Sequence, residues 1–238
     1  MAAVHVDAMP SDTAALLRLL QVTDSSFPVG GFAFSHGLEW LTQRRVVRDE
    51  AALARFLEAY VDQSVGRQSL PAAVRAYRAR SFAALLRVDD ALDAAFAAEG
   101  ERNAGRAMGE RLLVGAADAF GAPARIEDFR RVVRAGASPG QYAVAYGAIA
   151  AAERMPETQM LTALAFSMVL AVTQAAVRLN TIGQAAAARL AANAGPAIGR
   201  AVARVQTEGS RPAIGAFTPN LDVAALGHPS LAFRMFAS

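Results

Sequence analysis

At 238 residues, 54% hydrophobic and 19% charged, the chain can bury a sizeable core as one large domain or two small ones, and it is globular rather than disordered. It contains no Cys, which excludes disulfides, thiolate metal sites and a Cys nucleophile. All 24 basic residues are Arg at a net charge of +3, and the absence of Lys excludes a Walker A nucleotide-binding loop.

The Arg residues are interleaved with Asp and Glu, so there is no continuous basic stripe for nucleic acid. The pentapeptide RRVVR occurs at 44–48 and again at 130–134, and is read as a solvated helix edge in both places. Residues 1–10 lack a basic start followed by an apolar core, so no targeting signal is read and a cytoplasmic location is expected. These ten residues are expected to form a flexible N-terminus.

Taken in order, Ser11 or Asp12 caps a first helix carrying Leu16, Leu17, Leu19 and Leu20. The stretch 24–39, DSSFPVGGFAFSHGLE, follows as a shaped turn: Pro28 fixes its own φ, and Gly30 and Gly31 permit positive φ. Ser35 is placed to cap the short helix predicted from about 36 to 44. Three phenylalanines (Phe27, Phe32, Phe34) must pack on their own core or on a partner. Asp49 opens an amphipathic helix with Leu53, Phe56, Leu57, Tyr60, Val61 and Val65 at helical spacing, and Pro71 suits the first turn of the next. Further helices are predicted around Leu85–Leu92, from 103 to 120, from 126 to 133 and from 141 to 153. The uncharged stretch 158–177 is long enough to span a membrane, but six polar side chains along it favour the centre of a soluble bundle, with the Ala-rich segment 183–205 beside it.

Strand-like alternation is nearly absent, so the fold class is all-α: one bundle of about ten helices over 11–211. The tail 212–238 is apolar, with Asp222 and Arg234 its only charges, and Pro212, Pro219, Gly227 and Pro229 prevent one long helix. Ordering it costs about 1–2 kcal/mol per residue, so it needs a groove on this chain or on another.

Chemistry-bearing patterns are few. Asp89, Asp90 and Asp93 spell DDxxD, the Mg²⁺-holding pattern of helical prenyl-diphosphate enzymes, but only Glu127 and Asp128 are available for a second motif and their spacing is wrong. The plainer reading is acidic residues near a helix start. Ser35, His36 and Ser167 lack a base and orienting acid at recognisable spacing, and no His pair has metal-ligand spacing. Residue chemistry alone gives a helical, non-catalytic binding domain.

The stretch LLQVTDSSFPVGGFAFSHGLEW resembles the N-terminal signature of the urease accessory protein UreF family: Leu19, Leu20, Gln21, Pro28, Gly30, Phe32, Ser35, Gly37, Leu38 and Glu39 fall in its spacing. GQYAVAYG (140–147) is similar to the family's G-H-x-P-V-x-x-G, with Gln141 for His and Ala143 for Pro. RLNTIGQ (178–184) is similar to R-L-x-P-L-G-Q, with Thr181 for Pro, and His228, Arg234, Phe236 and Ser238 match H-E-x-Q-x-x-R-L-F-x-S, with Pro229 for Glu. The resemblance implies a divergent member of an all-α, homodimeric chaperone family. Its members bind UreD (also called UreH), recruit the GTPase UreG and help load nickel into apo-urease, without binding a cofactor tightly.

By the same resemblance, His228, Arg234, Phe236 and Ser238 order against UreD. Arg178, Gly183 and Gln184 shape a UreG-facing surface, unless Arg178 only satisfies helix-end carbonyls. Phe27, Pro28, Gly30, Phe32, Ser35 and Glu39 either close the core or join the UreD face. The alternatives are the DDxxD enzyme and a generic helical adaptor.

Overall fold

A computed structural model describes residues 11–216 and 218–237. The expectation for 1–10 and the tail positions Phe217 and Ser238 therefore lie outside the described residues. Among these the chain is all helix, turn and loop, with no strand. Twelve α-helices succeed one another: α1 (Ser11–Thr23), α2 (Leu38–Gln43), α3 (Glu50–Ala59), α4 (Leu70–Tyr77), α5 (Phe82–Ala95), α6 (Glu99–Phe120), α7 (Ala124–Arg134), α8 (Tyr142–Ala152), α9 (Glu157–Arg178), α10 (Gln184–Asn193), α11 (Gly195–Thr207) and α12 (Pro219–Gly227).

Between α3 and α4 the chain does not break. Residues Tyr60–Ser69 wind as a π-helix, so α3, the π-helix and α4 form one continuous rod. The rod starts as the sequence implies, with Asp49 accepting the Ala52 N–H at 2.8 Å. Pro71 sits near the N-terminus of α4, though inside the rod rather than after a turn. Such long π segments are rare. Here a tertiary contact accompanies it: Gly66 faces α11, where a Cβ would overlap the Arg204 guanidinium and press on Ala201. The Ala-rich segment 183–205 is two helices, α10 and α11, joined at Ala194.

The centre of the bundle is α8, which is buried continuously from Tyr142 to Ala150 and packs on α4 and α6. That close packing needs missing side chains. A Cβ on Gly147 would overlap the Ala73 carbonyl of α4, and one on Gly109 of α6 would overlap the Gly140 carbonyl. The helix α9, uncharged between its end residues Glu157 and Arg178, is less central than expected. It is long and apolar enough to cross a membrane, yet half of its apolar window is buried here against neighbours that include α1, α4, α8, α10 and α11.

The acidic pattern Asp89–Asp93 has a different purpose from either expectation. Asp89 lies well inside α5, not at its start, and is fully buried. Its carboxylate accepts Ser138 Oγ–H at 2.5 Å, Gly140 N–H at 2.7 Å and Gln141 N–H at 2.7 Å, and so caps the N-terminus of the central helix α8. Burial raises its pKa above the ordinary value, against the opposing effect of those three hydrogen bonds. Asp93 is engaged on both oxygens by Arg106 and also accepts from Gln141 Nε2. The oxygens of Asp89 and Asp93 thus serve N–H and O–H donors, a structural role for two of the three carboxylates of the DDxxD pattern.

Candidate partner-binding site

The stretch 24–39 folds as the sequence implies, into a tight turn and then α2. Phe27 N–H returns to the Asp24 carbonyl, Gly30 takes φ 71°, and a single 3-10 turn, Gly31–Ala33, leads to Phe34. Phe27 is buried against Gly115 of α6, and Phe34 is buried as well. Phe32 projects outward, 70% exposed. Gly37, at φ 78°, takes the N-cap position of α2, while buried Ser35 accepts the Glu39 N–H at 3.4 Å. Gly37 also lies against Ala224 of α12, and Gly227 at the end of α12 lies against the Trp40 indole, leaving no room for a Cβ at either position.

The tail thus returns to the turn, and one carboxylate holds it there. Glu39 is buried; its Oε2 lies 2.8 Å from His228 Nε2, and since a carboxylate only accepts, the ring nitrogen donates. The same side chain accepts the Met235 N–H at 2.6 Å and the Phe236 N–H at 3.2 Å. Three further contacts fasten the strand-like end of the tail. Ala237 N–H donates to the Ala33 carbonyl at 2.8 Å, Gln43 Nε2 donates to the Phe233 carbonyl at 2.9 Å, and the Phe236 ring lies under the Arg178 guanidinium at 4.4 Å. Arg178 also donates to the Phe32 carbonyl, so the end of α9 joins the same cluster.

The thirteen residues singled out in the sequence therefore divide. Phe27, Ser35, Glu39, His228 and Phe236 are inward-facing members of the chain's own fold. Phe236 packs on this chain, its ring against the Arg178 guanidinium. Phe32, Pro28, Arg178, Gly183, Gln184 and Arg234 are exposed, and Gly30 is half-buried against Arg111 of α6. Gln184 lies 3.4 Å from the Gln174 side chain, beside Arg178 on α9. Arg178 bonds the Phe32 carbonyl and only weakly the Gln174 carbonyl, so satisfying its own helix end is the lesser part of its role. Ser238 lies outside the described residues.

Several residues that matter here carried no signal in the sequence. Phe233 is 86% exposed, and Met235, Leu226 and Val223 are exposed apolar side chains too. Gln43, Ala33 and Trp40, which receive the tail, carried no such signal.

A family model described as UreF matches residues 47–195. The chain is 34% identical over 222 residues to "Urease accessory protein UreF" of Arthrobacter sp. (strain FB24), covering 93% of this chain and 96% of the relative. It is 35% identical over 222 residues to the protein of that name in Paenarthrobacter aurescens (strain TC1), covering 93% and 97%. With that of Kocuria rhizophila it shares 30% over 230 residues, covering 94% and 97%.

Proposed function

Because the chain belongs to the UreF family of urease accessory proteins, we propose that it is a non-catalytic chaperone of urease maturation that assembles with UreD (UreH) and the GTPase UreG to deliver nickel into apo-urease. It works in the cytoplasm, as a homodimer, without nucleic-acid or membrane partners, and modulates GTP turnover by UreG. Nickel is cargo of the assembly, passed in transit rather than held as a cofactor.

The observation that carries this reading is the face built jointly by the signature turn and the tail. Glu39, Arg178 and Gln43 hold the tail so that Phe32, Phe233 and Met235 stay outside. An apolar set rimmed by Arg178 and Arg234 has the make-up of an interface core with a polar rim. UreD docks on Phe233, Arg234 and Met235, while Arg178, Gly183 and Gln184 contribute to the UreG-facing surface. Phe236 and His228 belong to the support of the face.

Light scattering after size-exclusion chromatography of the chain co-expressed with UreD and UreG tests this. A ternary complex is expected for the wild type, and its loss for Phe233→Asp with Met235→Asp and for removal of 212–238, with helicity retained. A folded wild-type chain that ignores both partners overturns the reading.

A further inference from the structure

We propose that the cavity between the signature turn, the π-helix and α6 is a binding site for a neutral, mainly apolar small molecule that carries a carbonyl-type hydrogen-bond acceptor. The cavity measures about 610 Å³, within the range of small-molecule sites. Its walls are mainly apolar, with Leu92, Phe96, Met108, Met168 and Leu170 among them.

The chemistry of the ligand follows from the polar groups. Tyr60 lines the cavity, is 2% exposed, and its hydroxyl has no hydrogen-bond partner among the described residues. Burial pushes its pKa far up, so the phenol keeps its proton and needs an acceptor. His36 stands beside it, ring centroids 5.5 Å apart, and burial lowers the imidazole pKa to about 4, so this pair of side chains is uncharged at neutral pH. His36 holds φ 52°, a left-handed conformation that a non-glycine side chain adopts at a cost, as residues at functional sites often do.

The π-helix is what assembles the polar wall. Tyr60, Ser64 and Ser69 all line the cavity. At about 4.4 residues per π turn, nine positions make just over two whole turns, so residues 60 and 69 share a face. In an α-helix nine positions make two and a half turns, and Ser69 would face the opposite side.

Other ligand classes fit less well. A cation has no lone pair for the Tyr60 hydroxyl. An anion meets two acidic wall residues, Glu101 and Asp24, against one basic residue, Arg178.

Acetophenone and ethylbenzene, alike in shape and differing in the acceptor, are the probes, with benzoate and benzamidinium as charged controls. Titration of each into full-length protein labelled with ¹³C at the methionine methyls reads binding at Met108 and Met168. Acetophenone is expected to move both resonances and to bind about tenfold more tightly than ethylbenzene, as one hydrogen bond to a buried hydroxyl provides. Tyr60→Phe, which removes an unpartnered hydroxyl and so keeps the fold, is expected to bring that ratio to about one. Unmoved methionine resonances, a ratio that survives Tyr60→Phe, or tighter binding of either charged probe overturns the proposal. Should Tyr60→Phe fail to fold, Met108→Phe, which fills the cavity, is expected to abolish acetophenone binding, and retained binding overturns it equally.

Discussion

His228 Nε2 and Glu39 Oε2 lie 2.8 Å apart across 189 residues of chain, with both side chains 2% exposed. Glu39 also takes the Met235 and Phe236 amides, so Glu39→Ala strands three donors at once, two of them buried. Breaking such a buried charged network costs about 3–5 kcal/mol; the released tail rehydrates its own donors, which holds the loss near the lower figure. The α-helical core is expected to survive. Tryptic cleavage after Arg234 is expected to quicken about a hundredfold, with Glu39→Gln, which keeps one acceptor oxygen, in between. An unchanged cleavage rate in Glu39→Ala rules out this role.

Phe233 and Phe236, three residues apart, are expected to behave as opposites. Phe233→Ala removes an exposed ring and should alter stability by no more than about 0.5 kcal/mol while weakening the UreD complex at least tenfold. Phe236→Ala empties a buried site and should lower stability by about 3 kcal/mol. Urea unfolding and partner titration on the two variants separate support of the face from the face itself.

Arg178→Lys keeps the charge but not the flat stacking over Phe236. The expected loss is about 1 kcal/mol, seen as roughly fivefold faster hydrogen exchange at the Ala237 amide, which is bonded to the Ala33 carbonyl. Equal exchange in both proteins means the stack contributes nothing to docking the tail.

Two groups on the cavity wall give stability opposite pH slopes. His36 has its pKa lowered by burial from 6.5 to about 4, so its contribution is full above pH 6.5 and is lost as pH falls toward 4. Glu101 has its pKa raised from 4.5 to about 7, by burial and then by Asp222, so its contribution is full below pH 4.5 and is lost as pH rises through 7. Between pH 4.5 and 6.5 the two offset each other. Glu101→Gln is expected to lose about 2 kcal/mol relative to wild type on acidification across that window. His36→Asn, which tolerates the left-handed backbone, is expected to gain by a similar amount. Urea midpoints measured at each pH check both, and parallel profiles for all three proteins refute the assignment.

Asp89→Ala leaves Ser138 Oγ–H and the Gly140 and Gln141 amides without an acceptor in the interior. A loss of about 3 kcal/mol is expected, with millimolar Mg²⁺ shifting the melting temperature of neither wild type nor variant. A Mg²⁺-dependent shift confined to the wild type would restore a metal role for the motif.

The all-α class was legible because helical periodicity is local: Leu53, Phe56 and Leu57 show it within one turn. The π-helix was not, since Tyr60, Val61 and Val65 fit either winding and the arrangement involves Gly66 against α11, far along the chain. Asp89 was misread for a related reason. Its partners stand 49 to 52 positions away, and a carboxylate that caps another helix looks, in sequence, like one that holds a metal. For the candidate site, the turn and its matching residues were visible. Which of the tail's aromatics faces inward is settled by Glu39 and Arg178, and neither announces the tail as its partner.

The reach of Glu39 also sets an order of events during synthesis. At roughly 5–20 residues per second, His228 leaves the ribosome about 10–40 s after Glu39. Through that interval the carboxylate has none of its three tail partners and stays hydrated, so the turn beside it cannot take its final packing. Closing so long a loop adds little entropy beyond closing a shorter one, but it places the contact among the last to form. The segment nearest the start of the fold is completed from its far end, and a nascent chain halted before His228 presents an open, phenylalanine-rich turn to whatever chaperone or protease meets it first.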